Sequence, residues 1–196
     1  MNVMTKGGIA AYHPLDPLSA DEVKTAAGII RGAEYFNDAT KFETIELRYP
    51  DKEAVRGWDG AGRLPRRAFV CIYDTNTGAV RECLVDLDNG ELLNTSIIPN
   101  VRTAVMLDEI IACAQNVAQN QDFIAAMARR GITDLSNIQV DPFSAGNFGF
   151  EGETAHRIVH CWVYYRNDPF DNGYAHPVEG LNVIYDLNKG AVLQVL

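Results

Sequence analysis

Residues 66–98 read RRAFVCIYDTNTGAVRECLVDLDNGELLNTSII, a stretch in which three runs of apolar residues are separated by two turn sequences. The turn sequences are TNTG at 75–78 and DNG at 88–90, both composed of residue types that favour tight hairpins. The stretch therefore predicts three antiparallel strands joined by two hairpins.

Two further elements precede this stretch. In FETIELRYP at 42–50, apolar Ile45, Leu47 and Tyr49 alternate with charged residues, which predicts a half-buried strand. In LSADEVKTAAGIIRG at 18–32, Ser19 and Glu22 form a capping box, and the sequence predicts a helix ended by Gly32. The first half of the chain is thus one helix followed by four strands.

The same order of elements begins again after Pro99 and Asn100. LDEIIACAQNVAQN at 107–120 predicts a helix whose apolar stripe is Ile110, Cys113, Ala114 and Val117. A short second helix, DFIAAMARRG at 122–131, follows. Four strands are then predicted at 137–140, 156–165, 181–187 and 191–196.

The closing hairpins of the two halves match in detail, since Asp, Leu and Gly recur at the same spacing in DLDNGELL and DLNKGAVL. We therefore predict an α+β protein with two tandem domains, 1–102 and 103–196. Each domain is expected to be cystatin-like, with an antiparallel sheet of about four strands packed on a helix.

Composition excludes several classes of function. The net charge of the 196 residues is -9 and no Lys/Arg run occurs, so nucleic acid is not an expected partner. No apolar run reaches the roughly 20 residues that span a bilayer, and the N-terminus lacks the pattern of a signal peptide. We expect a soluble chain without a membrane partner; the missing signal favours the cytoplasm, although the compartment stays undetermined.

The cysteines and histidines give only weak metal signals. Cys71 and Cys83 flank a hairpin turn and could lie nearly opposite each other, but without an export signal the reduced state is expected. His156 and His160, with Cys161 adjacent, have a spacing that a metal site can use. No further ligand supports it, so ordinary strand histidines and no metal site are predicted.

The stretch DNGYAHPVEG at 171–180 concentrates polar chemistry. Asp171, Tyr174 and His176 are candidate acid and base groups for a small enzyme. The alternative is a structured turn in which Asp171 and Glu179 accept hydrogen bonds and Gly180 adopts an unusual backbone angle. The residues alone leave both interpretations open.

Five stretches, in order along the chain, resemble the copper-containing primary amine oxidases, including the tyramine oxidase-like members. They are HPLDPLSADE (13–22), RRAFVCIYDTNTG (66–78), VDLDNGEL (85–92), RRGITDLSNIQVDPFSAG (129–146) and DNGYAHPVEGL (171–181). The resemblance is to the second and third N-terminal domains of these enzymes. It implies a homodimeric parent protein that oxidises primary amines to aldehydes, releasing ammonia and hydrogen peroxide, with copper and topaquinone as cofactors.

The resemblance also implies that the chemistry resides in a C-terminal catalytic domain. This sequence has neither the Asn-Tyr-Asp/Glu motif of the quinone nor a His-x-His copper pair. We therefore expect no catalytic residue, no metal and no cofactor in this chain, which would be an N-terminal part of a longer enzyme. The small domains would shape the substrate channel and support the dimer.

Two positions match channel-lining sites of the family, namely Tyr174 and Ile111. An amphipathic tyrosine can select substrates by shape while partly wet. The alternative function is a free-standing cystatin-like binding module, although the Gln-x-Val-x-Gly loop of the cystatin inhibitors is absent.

Overall fold

The computed structural model describes residues 13–146 and 157–196 of the chain. The chain divides into two compact units between Thr103 and Ala104. None of the described helices is both long enough and apolar enough to cross a membrane.

The first unit is a four-stranded antiparallel sheet in the order β1-β2-β3-β4 with α1 against it. Its elements are α1 (Ala20–Arg31), β1 (Thr40–Arg48), α2 (Lys52–Arg56), β2 (Arg67–Asp74), β3 (Val80–Asp86) and β4 (Glu91–Ile98). The predicted capping box is present, since the Ser19 hydroxyl accepts from the Glu22 N–H and the Glu22 carboxylate accepts from the Ser19 N–H. The apolar side of α1 covers Val70 and Val85 of the sheet.

The second unit repeats this arrangement in a sheet of order β5-β6-β7-β8. Its elements are α3 (Leu107–Gln119), α4 (Gln121–Arg129), β5 (Ile138–Ser144), β6 (Ile158–Tyr165), β7 (Val183–Asp186) and β8 (Ala191–Val195), with a 3-10 turn at Gly173–Ala175. The core lies between α3, α4 and one face of the sheet and includes Cys113, Phe123, Val140 and Cys161. The predicted α+β class with two antiparallel four-stranded sheets is confirmed.

The structure corrects several details. Ile110 is 36 % exposed, and the buried side of α3 is formed by Glu109, Cys113 and Val117. Tyr49 lies beyond β1 and is 66 % exposed. The short helix α2 lies between β1 and β2, where the sequence pattern did not indicate a helix.

The strand predicted at 137–140 is longer in the structure, because β5 continues through Asp141, Pro142 and Ser144. Proline is tolerated there because β5 is an edge strand of its sheet. The longer strand brings Asp141 opposite Trp162 of β6. This pairing positions Asp141 in the candidate site.

A buried arginine–glutamate pair occurs in each unit. In the first unit the Arg66 guanidinium donates to Glu22 at 2.8 and 3.2 Å and to the Pro17 carbonyl at 2.9 Å. In the second unit Arg157 donates to Glu109 at 2.9 Å and to the Ala104 carbonyl at 3.0 Å. Both arginine side chains are only 3 % exposed.

These pairs connect the same three pieces of chain in both units. Each arginine directly precedes a central strand, each glutamate lies in the first turn of the helix, and each accepting carbonyl precedes that helix. The arginine carbonyls also match, because the Arg66 oxygen accepts from Leu87 N–H and the Arg157 oxygen accepts from Leu187 N–H, both at 2.9 Å. The ion pair therefore fixes the start of the helix over the start of the strand.

We expect Arg157→Met to lower the free energy of unfolding by about 3 kcal/mol or more, because the Glu109 carboxylate is left buried without its partner. The measurement is a urea denaturation curve. The control is Arg56→Met, which breaks a pair whose side chains are 62 and 75 % exposed and should cost less than about 1 kcal/mol. Equal losses in the two variants would contradict the account.

The Glu22 pair also predicts a pH dependence. The hydrogen bond from Arg66 lowers the pKa of Glu22 from 4.5 to about 2. A carboxyl group with a depressed pKa in the folded state adds stability above pH 4.5, and this stability is lost as the pH falls toward 2. The contribution should be about 2 to 3 kcal/mol.

The check compares denaturation midpoints of the protein and Glu22→Gln between pH 6 and pH 2, roughly the range over which this group changes charge. Glu22→Gln should have a lower denaturation midpoint than the protein at pH 6, and its midpoint should fall less as the pH decreases. Glu53→Gln, in the exposed pair of α2, should leave the slope unchanged. Parallel curves for the protein and Glu22→Gln would show that this carboxylate does not carry the dependence.

Candidate functional site

The segment that contains DNGYAHPVEG folds back along β6. The Tyr165 N–H donates to the His176 carbonyl at 3.0 Å, and the Val178 N–H donates to the Val163 carbonyl at 2.9 Å. An isolated bridge pairs Tyr164 with Pro177. The segment thereby occupies the part of β6 that β7 leaves unpaired, and it has a fixed register on the sheet.

A 3-10 turn at Gly173–Ala175 positions Tyr174. The Asn172 side chain accepts from the Tyr174 N–H at 3.2 Å and caps the turn. Gly173 is needed for close approach and not for an unusual backbone angle, since a Cβ there would lie 2.5 Å from Oε1 of Gln139. The unusual angle occurs at Gly180, with φ of 63°, as predicted.

Tyr174 lies on the face of the second sheet opposite to α3, which we call the outer face. The strand register puts six residues on it: Gln139, Asp141, Phe143, His160, Trp162 and Tyr164. The Tyr174 ring meets the Tyr164 ring edge-on at a centroid distance of 5.1 Å. The side chain is nevertheless 62 % exposed, so its ring is supported on one side and accessible on the other.

The Asp141 carboxylate of β5 influences the phenol of Tyr174. It raises the pKa of Tyr174 above its ordinary value, through hydrogen bonding and through its negative charge. Gln139 donates to the same carboxylate at 3.0 Å. The carboxylate therefore favours the neutral form of the Tyr174 phenol.

Asp171 and His176 form a separate cluster. The His176 Nε2 lies 3.1 Å from the Asp171 carboxylate, which also accepts from the Asn167 backbone N–H at 3.1 Å. The backbone hydrogen bond from Asn167 is the main cause of a lowered pKa of Asp171. The carboxylate thus closes the loop as a hydrogen-bond acceptor, in agreement with the turn interpretation.

The three candidate acid and base groups have different partners. Asp171 and His176 pair with each other, whereas Asp141 is the group that raises the pKa of Tyr174. The backbone carbonyls of Glu179 and Gly180 accept from Arg130 of the α4 C-terminus. Sequence reasoning missed Asp141 because the strand predicted at 137–140 ends one residue before it.

Ile111 lies on the exposed side of α3, with 50 % of its surface accessible. Because α3 covers the inner face of the sheet, Ile111 and Tyr174 are on opposite sides of it. The structure does not bring the two predicted channel residues together within this unit.

The described residues do not assemble a set of ligands for a copper ion. Within 13–146 and 157–196, no group of three or more His, Cys, Asp or Glu side chains could hold a metal ion. His156 lies outside the described residues. His160 is on the outer face, 2.9 Å from the Asn182 amide, whereas Cys161 points into the core, so these neighbours do not form one site.

The outer face also carries exposed aromatic residues that sequence reasoning did not single out. Phe143 is 47 % and Trp162 is 56 % exposed, and their ring centroids are 5.2 Å apart. Phe170, in the loop that leads to Tyr174, is 98 % exposed. Strand alternation in HRIVHCWVYY already indicated that Trp162 and Cys161 face opposite ways.

The comparisons with known proteins agree with two consecutive α+β units. Residues 13–98 match the family model of the copper amine oxidase N2 domain, and residues 108–196 match that of the N3 domain. The chain belongs to the copper amine oxidase family and corresponds to its N2 and N3 domains.

Similar proteins include the primary amine oxidase of Arthrobacter sp. (strain P1), 32 % identical over 100 % of this chain and 30 % of that protein. The peroxisomal copper-containing diamine oxidase 1 of Nicotiana tabacum is 29 % identical over 99 % of this chain and 29 % of that protein. The crystal structure of a copper-containing benzylamine oxidase from Hansenula polymorpha matches with a TM-score of 0.71 and 18 % identity, over 94 % of this chain and 30 % of that chain. The chain thus spans about 30 % of the length of these relatives.

We expect Asp141→Asn to lower the pKa of Tyr174, because the substitution removes the negative charge that favours the protonated phenol. The measurement is a pH titration of the protein labelled at the tyrosine Cζ, followed by NMR, with the Tyr174 signal assigned by its loss in Tyr174→Phe.

Asp168→Asn is the matched control, since Asp168 lies in the same loop and its carboxylate accepts from the Phe170 N–H at 2.8 Å. This control should leave the Tyr174 titration unchanged. A pKa of Tyr174 that is insensitive to Asp141→Asn would remove Asp141 from the site.

Proposed function

We propose that this chain is the N2–N3 region of a copper- and topaquinone-dependent primary amine oxidase and that its second unit forms part of the wall of the substrate channel. The parent reaction would convert a primary amine to an aldehyde and release ammonia and hydrogen peroxide. In this proposal the rest of the parent protein carries the chemistry. This chain would select amines by controlling which of them pass through the substrate channel.

The proposal rests on one observation, which is that the Tyr174 ring is exposed and yet locally supported. The ring is 62 % exposed, yet the capped turn and the Tyr164 ring hold it in position. A rigid ring costs little conformational entropy when a substrate contacts it. An exposed side chain with this much local support is suited to recognition, whereas an unsupported one would lose conformational entropy on contact.

Ile111 is proposed as a second channel residue. Since it lies on the other side of the sheet from Tyr174, the two would line different parts of a channel or the channels of different subunits. This assignment rests on the position of Ile111 in the family pattern and on its 50 % exposure.

The proposed partners are the catalytic domain of the same parent protein and a second subunit. The exposed aromatic rings of Phe143 and Trp162 support this, because they lie 5.2 Å apart and contiguous exposed apolar surface marks interaction sites. Phe143 and Trp162 on the outer face and Leu107, which is 73 % exposed at the start of α3, are candidates for such contacts.

The test uses the full-length protein and compares kcat/KM for methylamine with that for a bulky aromatic amine such as tyramine. Tyr174→Ala should change the ratio of the two values by about 5- to 30-fold, which corresponds to about 1 to 2 kcal/mol of contact energy. Tyr174→Phe should keep most of the wild-type ratio because the ring remains. Ile111→Ala should change the ratio less.

Phe170→Ala is the matched control, because Phe170 is an aromatic residue of the same loop that is 98 % exposed. It should leave the ratio unchanged. An equal loss of kcat for both amines in Tyr174→Ala would indicate a role in the chemical step, and an unchanged ratio would rule out channel selection by this residue.

A further inference from the structure

Two of the four cysteines meet in the core of the second unit. The Sγ atoms of Cys113 on α3 and Cys161 on β6 are 3.4 Å apart, although the residues are 48 positions apart in sequence. Both side chains are completely buried, and Val117 and Val159 are among the apolar residues of the same cluster. The function proposed above makes no use of these thiols.

The two sulfur atoms are in contact, which is the first requirement for forming a disulfide. An S–S bond is about 2.05 Å long, so the sulfur atoms must approach by about 1.3 Å, which small side-chain torsions can supply. The partners lie on α3 and on the central strand that this helix covers. We propose that Cys113 and Cys161 form an intramolecular disulfide, joining α3 to β6, when the protein meets a two-electron oxidant such as hydrogen peroxide.

The reaction balances with peroxide as the oxidant. One cysteine attacks a peroxide oxygen as the thiolate, forming a sulfenic acid and hydroxide, which becomes water by taking up the proton released from the thiol. The sulfur of the other cysteine then attacks the sulfenic sulfur, the S–S bond forms, and the sulfenic oxygen leaves as a second water with the second thiol proton. Two thiols lose two electrons and two protons, and one peroxide is reduced to two waters.

Burial makes the reaction slow but selective. The hydrogen bond with Cys113 and the burial raise the pKa of the Cys161 thiol, so the first step requires a local opening of α3. When the helix closes again, the oxidised sulfur meets the remaining thiol in preference to water or other reagents. The product is the cross-link and not a stable sulfinic acid.

The other two cysteines provide an internal control. In the register of β2 and β3, Cys83 is opposite Val70, whereas Cys71 is opposite Glu82. Cys83 faces the core and Cys71 faces the other side of the sheet, so their sulfur atoms cannot bond without a one-residue slip of a strand. The hairpin pair considered from the sequence is therefore the wrong pair for a disulfide.

The test is a peptide map of the full-length protein after treatment with hydrogen peroxide, alkylation of the remaining thiols and digestion with trypsin without reduction. Cleavage after arginine puts the four cysteines in four different peptides, 68–81, 82–102, 103–129 and 158–166. The expected product is 103–129 linked to 158–166, with a mass two hydrogens below the sum of the two peptides. Reduction before alkylation should abolish it.

Three outcomes would overturn the proposal: alkylated Cys113 and Cys161 after prolonged oxidation, sulfinic or sulfonic acids at either position, or a dominant link to another cysteine. The same oxidation in urea provides a second test. Without the fold, links among all four peptides should form, and an identical single product would show that the folded geometry is not responsible.

Cysteine variants test whether the cross-link requires Cys113 and Cys161 in particular. Cys83→Ser should form the cross-link as the wild type does, whereas Cys113→Ala should yield none and leave peptide 158–166 unlinked. If Cys113→Ala does not fold, Cys161→Ala serves the same purpose, and the wild-type map alone still decides between a link and its absence. A cross-link that disappears in Cys83→Ser would contradict the assignment.

Discussion

A buried arginine–glutamate pair determines how the helix lies on the sheet in each unit. Removing two charges from water is costly, and the cost is offset only if the hydrogen bonds are complete. Arg66 and Arg157 meet this condition because each is bound by a carboxylate and by a backbone carbonyl that precedes the helix. Any shift of the helix or slip of the strand would leave a charge unpaired, so the pair selects one register.

The rest of each unit follows from this constraint. With the helix fixed at its N-terminus, its apolar side covers the inner face of the sheet, and the other face is left for external contacts. In the second unit that outer face carries Trp162, Tyr164 and the segment that holds Tyr174. The candidate site thus depends on the same pair that holds the core together, although no atom of Arg157 is part of it.

Local patterns in the sequence predicted the elements well and the long-range contacts poorly. The turn residues at 75–78 and 88–90 fixed the hairpins, and the capping box fixed the start of α1, because each signal acts within a few residues. The salt bridge from Glu109 to Arg157 spans 48 positions, and no local rule reports it. The repeated Arg before a strand in RRAF and HRIV, together with Glu in both first helical turns, is the signal that could have revealed it.

The same distinction applies to the candidate site. Family pattern alone pointed to Tyr174, and the turn residues predicted the loop around it. The surroundings of its ring could not be predicted, because Tyr164 and Asp141 lie near it only through strand pairing, and β5 had to extend beyond Val140 to include Asp141. Likewise the contact between Cys113 and Cys161 depends on the packing of a helix on a strand.

The central claim is that this rigid, exposed tyrosine faces the path of an amine in the parent protein. The most direct measurement is a crystal structure of the full-length protein with a bulky primary-amine inhibitor bound at its active site. The account predicts that the Tyr174 ring lies within about 4 Å of the inhibitor or of the solvent path that leads to it. A Tyr174 ring on the outer surface, or covered by another domain away from that path, would contradict the claim.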